Sequence, residues 1–483
     1  MVTNTRTRIG STSALTVFAA AVLVSAFVFV APYQAANAQS ETKLRIALVT
    51  DALFSDGGWG AAAYTAAQKL KDQGHEVTAG ESIAIEAIES TLRQYSEDGY
   101  DLIIAHGFQW GDPAVKVGKD YPNTKYVVFT GLVSSSNVAS IFPMQQEGTF
   151  LLGALAAMMS ETDAIGYVGG DSYPNVINIF EGYELGAKLV NPDIRVIGTY
   201  LGAWDDPSKG REAGLAQINS GADFLFHVAD TSGHGVIQAA EDRGIYAFGA
   251  VGDQNGLAED TVLTSFVLDI DKAFAQATEM VVEDRFEGKI FKPGIESGKG
   301  ASGDGIVYLA PFHSLDSSVP ADVKARLQEL TQDVLEKRII VPEITEDADD
   351  SIVGAQFGGD SYGVIGRSET ARVTAVTINP NESVTVEFDA AGEVELTLPK
   401  SMIDGISMVK AGASEVPFET VSSTETGTTI KLTVPSGEDS VEIIGTTVVP
   451  EFGIIAALVL AASIAAMIGF ARFRGNSIRL GRF

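Results

Sequence analysis

The chain lacks cysteine, and its basic residues are few beside its acidic ones. Without cysteine there can be no disulfide, no thiolate metal site, no cysteine nucleophile and no lipid attached to an N-terminal cysteine. Only 33 lysine and arginine residues stand against 63 aspartate and glutamate residues. A chain with this excess of negative charge repels nucleic acid and anionic lipid, so we expect no nucleic-acid partner.

Enzyme motifs are also missing. There is no HExxH or His-x-His metal spacing, no G-x-S-x-G elbow and no Walker loop. We interpret His227 and His234, which flank a predicted strand end, as structural residues, and the Gly169-Gly170 pair as a turn. The sequence therefore predicts a protein that is not an enzyme, with no catalytic residue, metal or cofactor.

The N-terminus has the features of a secretory signal peptide. Arg6 and Arg8 precede an apolar run over 14–31, and Ala36-Asn37-Ala38 supplies the small residues that a signal peptidase recognises. We predict a signal peptide over 1–38 and cleavage before Gln39. The rest of the chain is expected outside the cell.

The C-terminus predicts a membrane attachment. An apolar stretch over 452–470 is long enough to cross a bilayer, and four arginines follow it. The preceding Val449-Pro450-Glu451-Phe452-Gly453 resembles the PEFG-type sorting signal of archaeal surface proteins. That resemblance implies cleavage near Pro450 and transfer to a lipid or another surface anchor, whereas an ordinary transmembrane anchor remains the alternative. Either reading of 449–483 places the protein on the extracellular face of the plasma membrane.

From residue 43 to about 342, short apolar strands alternate with helical patterns, which is typical of βαβ units in mostly parallel sheets. The predicted strands lie near 44–50, 75–78, 102–106, 125–130, 164–168, 195–200, 224–228, 246–250 and 262–267. Predicted helices include 84–95, 147–159, 177–190 and 235–243. The strands are too many for one comfortable sheet, so we predict two lobes joined by the helix after Gln146.

The amino-acid composition changes beyond this region. Residues 343–370 are acidic and then glycine-rich, and we interpret them as a solvated linker because they offer little apolar surface. Over 371–447 apolar residues alternate with polar ones between turn signals, which favours an antiparallel β-sandwich. A spacer that lifts the lobes off the membrane is preferred to a second binding site, because no polar constellation occurs there.

Ligand-binding candidates follow the strands of the α/β region, since loops at the carboxyl ends of parallel strands face the crevice where ligands bind. Each of these loops combines an aromatic side chain or a carboxylate with glycine, which suits a planar, hydrogen-bonding small molecule. The alternative for Trp59 is a lid over its own core. The candidates are Asp51, Asp56, Trp59, Phe108, Asp112, Phe226, Asp230 and Asp253.

Several segments in this region resemble the basic-membrane-protein or PnrA-like family of substrate-binding proteins. In order, they are IALVTDALFSDGGWGAAAY, IFPMQQEGTFLLGALAAMM, IGYVGG, FEGYELGAKLVNP, GADFLFHVADTSGHGV, YAFGAVGDQN and VLTSFVLDIDKA. The resemblance implies a type I periplasmic-binding-protein fold, with two Rossmann-like lobes and a hinge. It further implies a purine nucleoside held between two aromatics, Trp59 and Phe226, and delivery to an ABC permease and its ATPase.

Two positions depart from the family's nucleoside-binding pattern. Where the family has an aspartate and a lysine, which would hold ribose hydroxyls, this chain has Val251 and Leu268. A hydroxyl that faces an apolar wall loses hydrogen bonds at about 1–3 kcal/mol each. We therefore expect a planar ligand without ribose, or one that is posed differently.

These observations together predict a surface-anchored binding protein of an ABC-type importer. Its two lobes would close on a small planar heterocycle, nucleobase-like or nucleoside-like, through a hinge motion without covalent chemistry. A ligand-sensing surface receptor with no transport partner is the alternative function.

Overall fold

The structure is a computed structural model that describes residues 42–296, 305–343, 350–357, 360–368 and 370–449. The predicted signal peptide and, apart from Val449, the predicted sorting signal lie outside these residues. Within the described part of the chain, no helix has both the length and the apolarity to cross a membrane.

Two α/β lobes occupy the first part of the chain, and each has a six-stranded sheet. Lobe 1 has the strand order β11-β5-β4-β3-β1-β2, and lobe 2 has the order β12-β10-β9-β8-β6-β7, so the two orders match except that β11 is parallel to its neighbour and β12 is antiparallel. The elements are β1 (Arg45–Val49), α1 (Trp59–Asp72), β2 (Glu76–Gly80), α2 (Ile88–Glu97), β3 (Leu102–His106), α3 (Gly111–Gly118), β4 (Lys125–Phe129), β5 (Val138–Ile141), α4 (Gln145–Met159), β6 (Ala164–Gly169), α5 (Pro174–Val190), β7 (Arg195–Tyr200), α6 (Pro207–Asn219), β8 (Phe224–Val228), α7 (Asp230–Arg243), β9 (Tyr246–Val251), β10 (Val262–Leu268), α8 (Ile270–Val282), β11 (Ile290–Phe291), β12 (Val307–Leu309) and α9 (Ala321–Leu335).

The central strands are parallel and almost entirely buried, as expected for sheets that helices cover on both faces. The crossing helix α4 is predicted correctly, and it packs against α5 in the core of lobe 2. Two glycines allow this close approach. A Cβ on Gly153 would lie 1.8 Å from the Tyr183 carbonyl oxygen, and one on Gly186 would lie 1.8 Å from that of Phe150.

Within the described residues, the chain crosses between the lobes at three places, at 142–144, at Asp269 and at 292–294. The first and third crossings are joined by backbone hydrogen bonds from Phe142 N to Phe291 O (2.8 Å) and from Met144 N to Pro293 O (2.9 Å). The buried Glu147 lies beside them. Its carboxylate accepts from Ile295 N at 2.8 Å and from Lys337 Nζ at 2.5 Å. These crossings connect the two lobes, and they are where the family resemblance leads us to expect the hinge.

The C-terminal part is a β-sandwich of two five-stranded antiparallel sheets with its own apolar core, as predicted. One sheet has the order β13-β14-β17-β21-β20 and the other the order β15-β16-β22-β18-β19. The strands are β13 (Asp350–Phe357), β14 (Asp360–Arg367), β15 (Val373–Asn379), β16 (Ser383–Phe388), β17 (Gly392–Pro399), β18 (Ile403–Ala411), β19 (Ser414–Glu415), β20 (Phe418–Ser423), β21 (Gly427–Val434) and β22 (Ser440–Val448).

The linker predicted over 343–370 is wrong for most of its length. The described residues form β13 and β14, an antiparallel pair that extends the sandwich sheet through β17. Ile352 and Ile365 are buried and share an apolar cluster with lobe 2, and Gly354 lies against Leu189 of α5. The sandwich thus packs directly on lobe 2. The apolar surface that stabilises this hairpin comes largely from its partners, so its own composition gave little sign of it.

Candidate ligand-binding site

A cavity of about 570 Å³ lies between the lobes, at the carboxyl ends of the parallel strands. Lobe 1 lines it with the loops after β1, β3 and β4, and lobe 2 with the loops after β6, β7, β8 and β9. Its walls include aromatic rings, carboxylates and uncharged polar groups. Six of the residues predicted from the sequence line it, namely Asp51, Asp56, Trp59, Phe108, Asp230 and Val251.

Asp56 shapes the first loop and has little capacity left for a ligand. Its carboxylate oxygens accept hydrogen bonds from Gly58 N (2.8 Å), Gly60 N (2.7 Å) and Ala61 N (3.0 Å). These are the free N–H groups at the start of α1, where an anion is also favoured by the helix dipole. Asp56 therefore fixes the loop that carries Trp59 into the cavity.

Trp59 is both a cavity wall and a packing residue. Its indole stacks on the His106 ring with centroids 3.8 Å apart and planes at 24°, and it remains partly exposed. His106 Nε2 also lies 3.2 Å from the Trp59 carbonyl oxygen. Burial lowers the pKa of His106 to about 3, so this histidine is neutral. One face of Trp59 is therefore occupied by its own lobe.

The second aromatic was assigned to the wrong residue. Phe226 is fully buried on β8 and packs against Tyr167, Tyr183 and Phe248, with no surface on the cavity. Periodicity identifies a buried strand but does not tell which of its side chains faces the cleft, since both faces of such a strand are covered.

The aromatic wall of lobe 2 consists of Trp204 and Tyr173, from the loops after β7 and β6. Their rings stack with centroids 6.1 Å apart and planes at 28°. A Cβ on Gly170 would lie 2.3 Å from the Trp204 indole, so glycine is required beside this ring. Trp204 follows β7 just as the predicted site residues follow β1, β3, β8 and β9. The rule that loops at the carboxyl ends of parallel strands face the ligand crevice therefore identifies Trp204 as well.

Two free carboxylates approach the cavity from opposite lobes. Asp230, the first residue of α7, adopts a positive φ of 44°, and burial and then the nearby Asp56 and Asp51 raise its pKa to about 8. Asp51 is open to the cavity, yet its recessed position also raises its pKa, an effect that a hydrogen bond to its own backbone partly offsets. Near neutral pH Asp230 therefore largely retains its proton, which relieves the crowding of negative charge in the site that the two lobes share.

Strained backbone occurs at the same place in each lobe. Thr130 follows β4 with φ of 63°, and Val251 ends the corresponding strand β9 with φ of 67°. Both line the cavity. The left-handed region is unfavourable for β-branched residues and is kept mainly at functional sites, which supports a shared role for these two strand ends.

The remaining predicted site residues lie elsewhere. Asp112 is exposed in the first turn of α3, and Asp253 pairs with His313 Nε2 at 2.7 Å. Leu268 is 3% exposed at the end of β10, next to the hinge. None of these three is among the residues that line the cavity.

Two polar residues that the sequence analysis missed also line the cavity. Gln145, at the start of the crossing helix, is 2% exposed, and its Nε2 has no hydrogen-bond partner. Asn175, in the first turn of α5, has a buried Oδ1 that is likewise unpartnered. Unsatisfied buried groups of this kind suit a site that a ligand completes. In the part of the chain that the structure describes, no cluster of histidine and carboxylate residues could hold a metal ion.

Comparison with known proteins assigns the family. Residues 43–344 match the family model described as ABC transporter substrate-binding protein PnrA-like. The chain belongs to this family. A purine-binding protein from Brucella abortus is 30% identical over 296 residues, which cover 60% of this chain and 81% of the relative.

Solved structures agree with the two-lobed fold. An ABC-type solute-binding protein from Aeropyrum pernix K1 superposes with a TM-score of 0.56 at 23% identity, covering 62% of this chain and 94% of its own. A transcriptional activator from Bacillus halodurans superposes with a TM-score of 0.51 at 25% identity, covering 60% of this chain and 97% of its own. This PnrA-like protein is therefore a solute-binding protein of the kind found in ABC transporter systems.

Proposed function

We propose that this PnrA-like protein captures a planar nitrogen heterocycle, nucleobase-like or nucleoside-like, between its two lobes and delivers it to an ABC permease and its ATPase. The observation that carries the proposal is the aromatic lining of one cavity from both lobes, with Phe108 and Trp59 on one side and Trp204 and Tyr173 on the other. Aromatic side chains recognise flat ligands by stacking, and nearby polar groups orient them. The protein would bind the ligand and close over it by a hinge motion, without covalent chemistry.

Within this class, we propose that free bases bind more tightly than nucleosides. Val251 occupies a cavity position where the family pattern has a polar partner for ribose, so a sugar hydroxyl there would lie against an apolar side chain. Leu268 contributes less than the sequence suggested, since it is buried beside the hinge. The purine-binding relative from Brucella abortus supports a purine-like ligand.

The experiment is calorimetric titration of the protein with adenine, hypoxanthine, adenosine and inosine. We expect each base to bind at least about tenfold more tightly than its nucleoside, on the order of 1.4 kcal/mol. If a cavity aromatic is replaced, as in Trp204→Ala, the matched control is Tyr64→Ala. Tyr64 is an aromatic residue that is 39% exposed and does not line the cavity. Tighter binding of the nucleosides would contradict the preference, and binding of none of the four would contradict the ligand class.

The proposal also places the protein on the extracellular face of the plasma membrane, attached through its C-terminal segment. The support comes from the sequence alone, in the signal-peptide features of 1–38 and the apolar and basic stretches of 449–483. Co-purification with a permease and an ATPase from native membranes would test the importer assignment.

The second candidate is a ligand-sensing receptor without a transport partner. The similarity to a transcriptional activator from Bacillus halodurans favours it, because that protein shares this fold in a regulatory context. A gene pair for a permease and an ATPase beside this gene would favour transport, whereas a neighbouring histidine-kinase gene would favour sensing.

A further inference from the structure

The cavity between the lobes carries charge of only one sign. Its lining includes the carboxylates of Asp51, Asp56, Asp205 and Asp230, and no lysine, arginine or histidine is among the residues that line it. A lining of this kind repels phosphorylated ligands, which binding sites commonly hold with arginine or lysine. Nucleotides are therefore poor candidates for this site.

Three of these four carboxylates are not neutralised by the protein. Asp56 is satisfied by three backbone N–H groups at the start of α1. The ion pairs among the described residues involve neither Asp51, Asp205 nor Asp230. Like charges that face each other without a counter-charge are unfavourable in a recessed site.

These carboxylates also lie on both sides of the hinge. Asp51 belongs to lobe 1 and Asp230 to lobe 2, and they are close enough for the charge of Asp51 to affect the titration of Asp230. Because the pKa of Asp230 is raised to about 8, the folded protein relieves this repulsion near neutral pH by keeping a proton on Asp230. A neutral ligand would leave that proton in place, whereas a positive charge between the two side chains would displace it and pair with both carboxylates.

The other lining residues suit a flat cation. The indole of Trp204 and the ring of Tyr173 form a stacked wall, and aromatic faces attract cations through their quadrupole. Gln145, which is buried at the back of the site, has an unpartnered amide Nε2 that would donate to an acceptor atom of the ligand. This orphaned donor indicates a ligand independently of the carboxylates.

We propose that the ligand is a planar nitrogen heterocycle with a net positive charge, which lies between Asp51 and Asp230 when the lobes close on it. The proposal rests on the proposed function, because it assumes that the cavity binds a planar heterocycle. It adds the sign of the ligand's charge.

The test uses three purine probes that share a ring system but differ in charge. Calorimetric titration of the whole protein near neutral pH would compare neutral 9-methyladenine, cationic 7,9-dimethyladeninium and anionic adenosine monophosphate. We expect the cation to bind at least about tenfold more tightly than the neutral base, with no measurable binding of the nucleotide. Raising the salt from about 50 mM to about 500 mM should weaken binding of the cation and leave that of the neutral base unchanged.

Variants test the carboxylates directly. Asp230→Asn should weaken binding of the cation at least about tenfold more than it weakens binding of the neutral base. Asp51→Asn is the second variant should the first fail to fold, as judged by its thermal melt. Asp260→Asn is the matched control, because Asp260 is exposed in lobe 2 outside the cavity and should leave both probes unchanged.

The outcomes separate the two proposals. If the neutral base binds as tightly as the cation, or more tightly, the charge proposal is overturned while the proposed function stands. If neither base binds and the nucleosides also fail to bind, both proposals are overturned together. Tighter binding of the cation that persists at high salt and in both variants would also contradict a role for these carboxylates.

Discussion

Asp230 makes a testable link between the binding site and the stability of the protein. Its pKa in the folded protein is raised from its ordinary value of 3.8 to about 8, first by burial and then by Asp56 and Asp51. Between these two values the folded protein holds a proton that the unfolded chain has released. The free energy of unfolding therefore falls as the pH rises through this range, and the full penalty is present above about pH 8.

Buried histidines act in the opposite direction at lower pH. Burial lowers the pKa of His106 to about 3 and that of His227 to about 4, from 6.5. Between those values and 6.5, the unfolded chain binds protons that the folded protein does not, so their contribution to stability rises with pH. Above about pH 6.5 this contribution is constant, which leaves the interval from about 6.5 to 8 to report on Asp230.

The expected size follows from the width of that interval. One pKa unit corresponds to roughly 1.4 kcal/mol, so the ceiling over 1.5 pH units is about 2 kcal/mol. Because Asp230 is partly exposed to the cavity, solvent screening reduces the expected loss to about 1 kcal/mol. Asp230→Asn should remove this loss, since an amide does not titrate.

The assay is urea unfolding followed by tryptophan fluorescence at several pH values from about 6.5 to 8. The three tryptophans are Trp59, Trp110 and Trp204, so the signal comes from the lobes and not from the sandwich. Asp260→Asn serves as the control for a lost surface charge. Parallel pH dependences for Asp230→Asn and the unchanged protein would refute the reasoning.

Three further predictions concern the site, the hinge and the C-terminus. Trp204→Ala should weaken adenine binding by about 1–3 kcal/mol with little loss of stability, whereas Phe226→Ala should destabilise lobe 2 by about 3–5 kcal/mol. Calorimetry measures the loss of binding and thermal melts measure the loss of stability. A binding defect in Phe226→Ala together with a stability defect in Trp204→Ala would contradict the site. Lys337→Met leaves the buried Glu147 without its cation and should lower stability by about 1–2 kcal/mol in urea unfolding; no change would mean that Ile295 N alone holds the carboxylate. Intact-mass analysis of the native membrane form should find 454–483 missing if the sorting signal is processed, and a recovered peptide from that range would indicate an ordinary anchor.

Much of the α/β region could be predicted because its signals are local. The strands β3, β7 and β8 have the predicted bounds, and β1, β4, β6, β9 and β10 differ from the prediction by one residue at an end or at both. Apart from the edge strand β7, which is only partly buried, these strands are buried on both faces and appear as short apolar runs between turns. Helix α7 begins earlier than predicted, because glycines in its first turns weaken the helical pattern while packing against α6 favours them.

The errors lie where the answer depends on a distant partner. The hairpin of β13 and β14 looks solvated until lobe 2 and β17 cover it, so composition alone predicted a linker. The choice between Phe226 and Trp204 depended on which elements face the cleft, and that is set by how the lobes are arranged. Asp253 lies outside the cavity and pairs with His313, which lies 60 residues further along the chain.

The packing of the sandwich on lobe 2 determines which half of the molecule is able to move. Ser401 of the sandwich donates to the carbonyl oxygen of Lys337, and Lys337 in turn holds Glu147 at the hinge. If the chain is tethered at its C-terminal end, the sandwich and lobe 2 would therefore stay fixed together. Lobe 1, which carries Trp59, would then be the lobe that moves. A ligand that first contacts Trp204 would stay in place while lobe 1 closes over it.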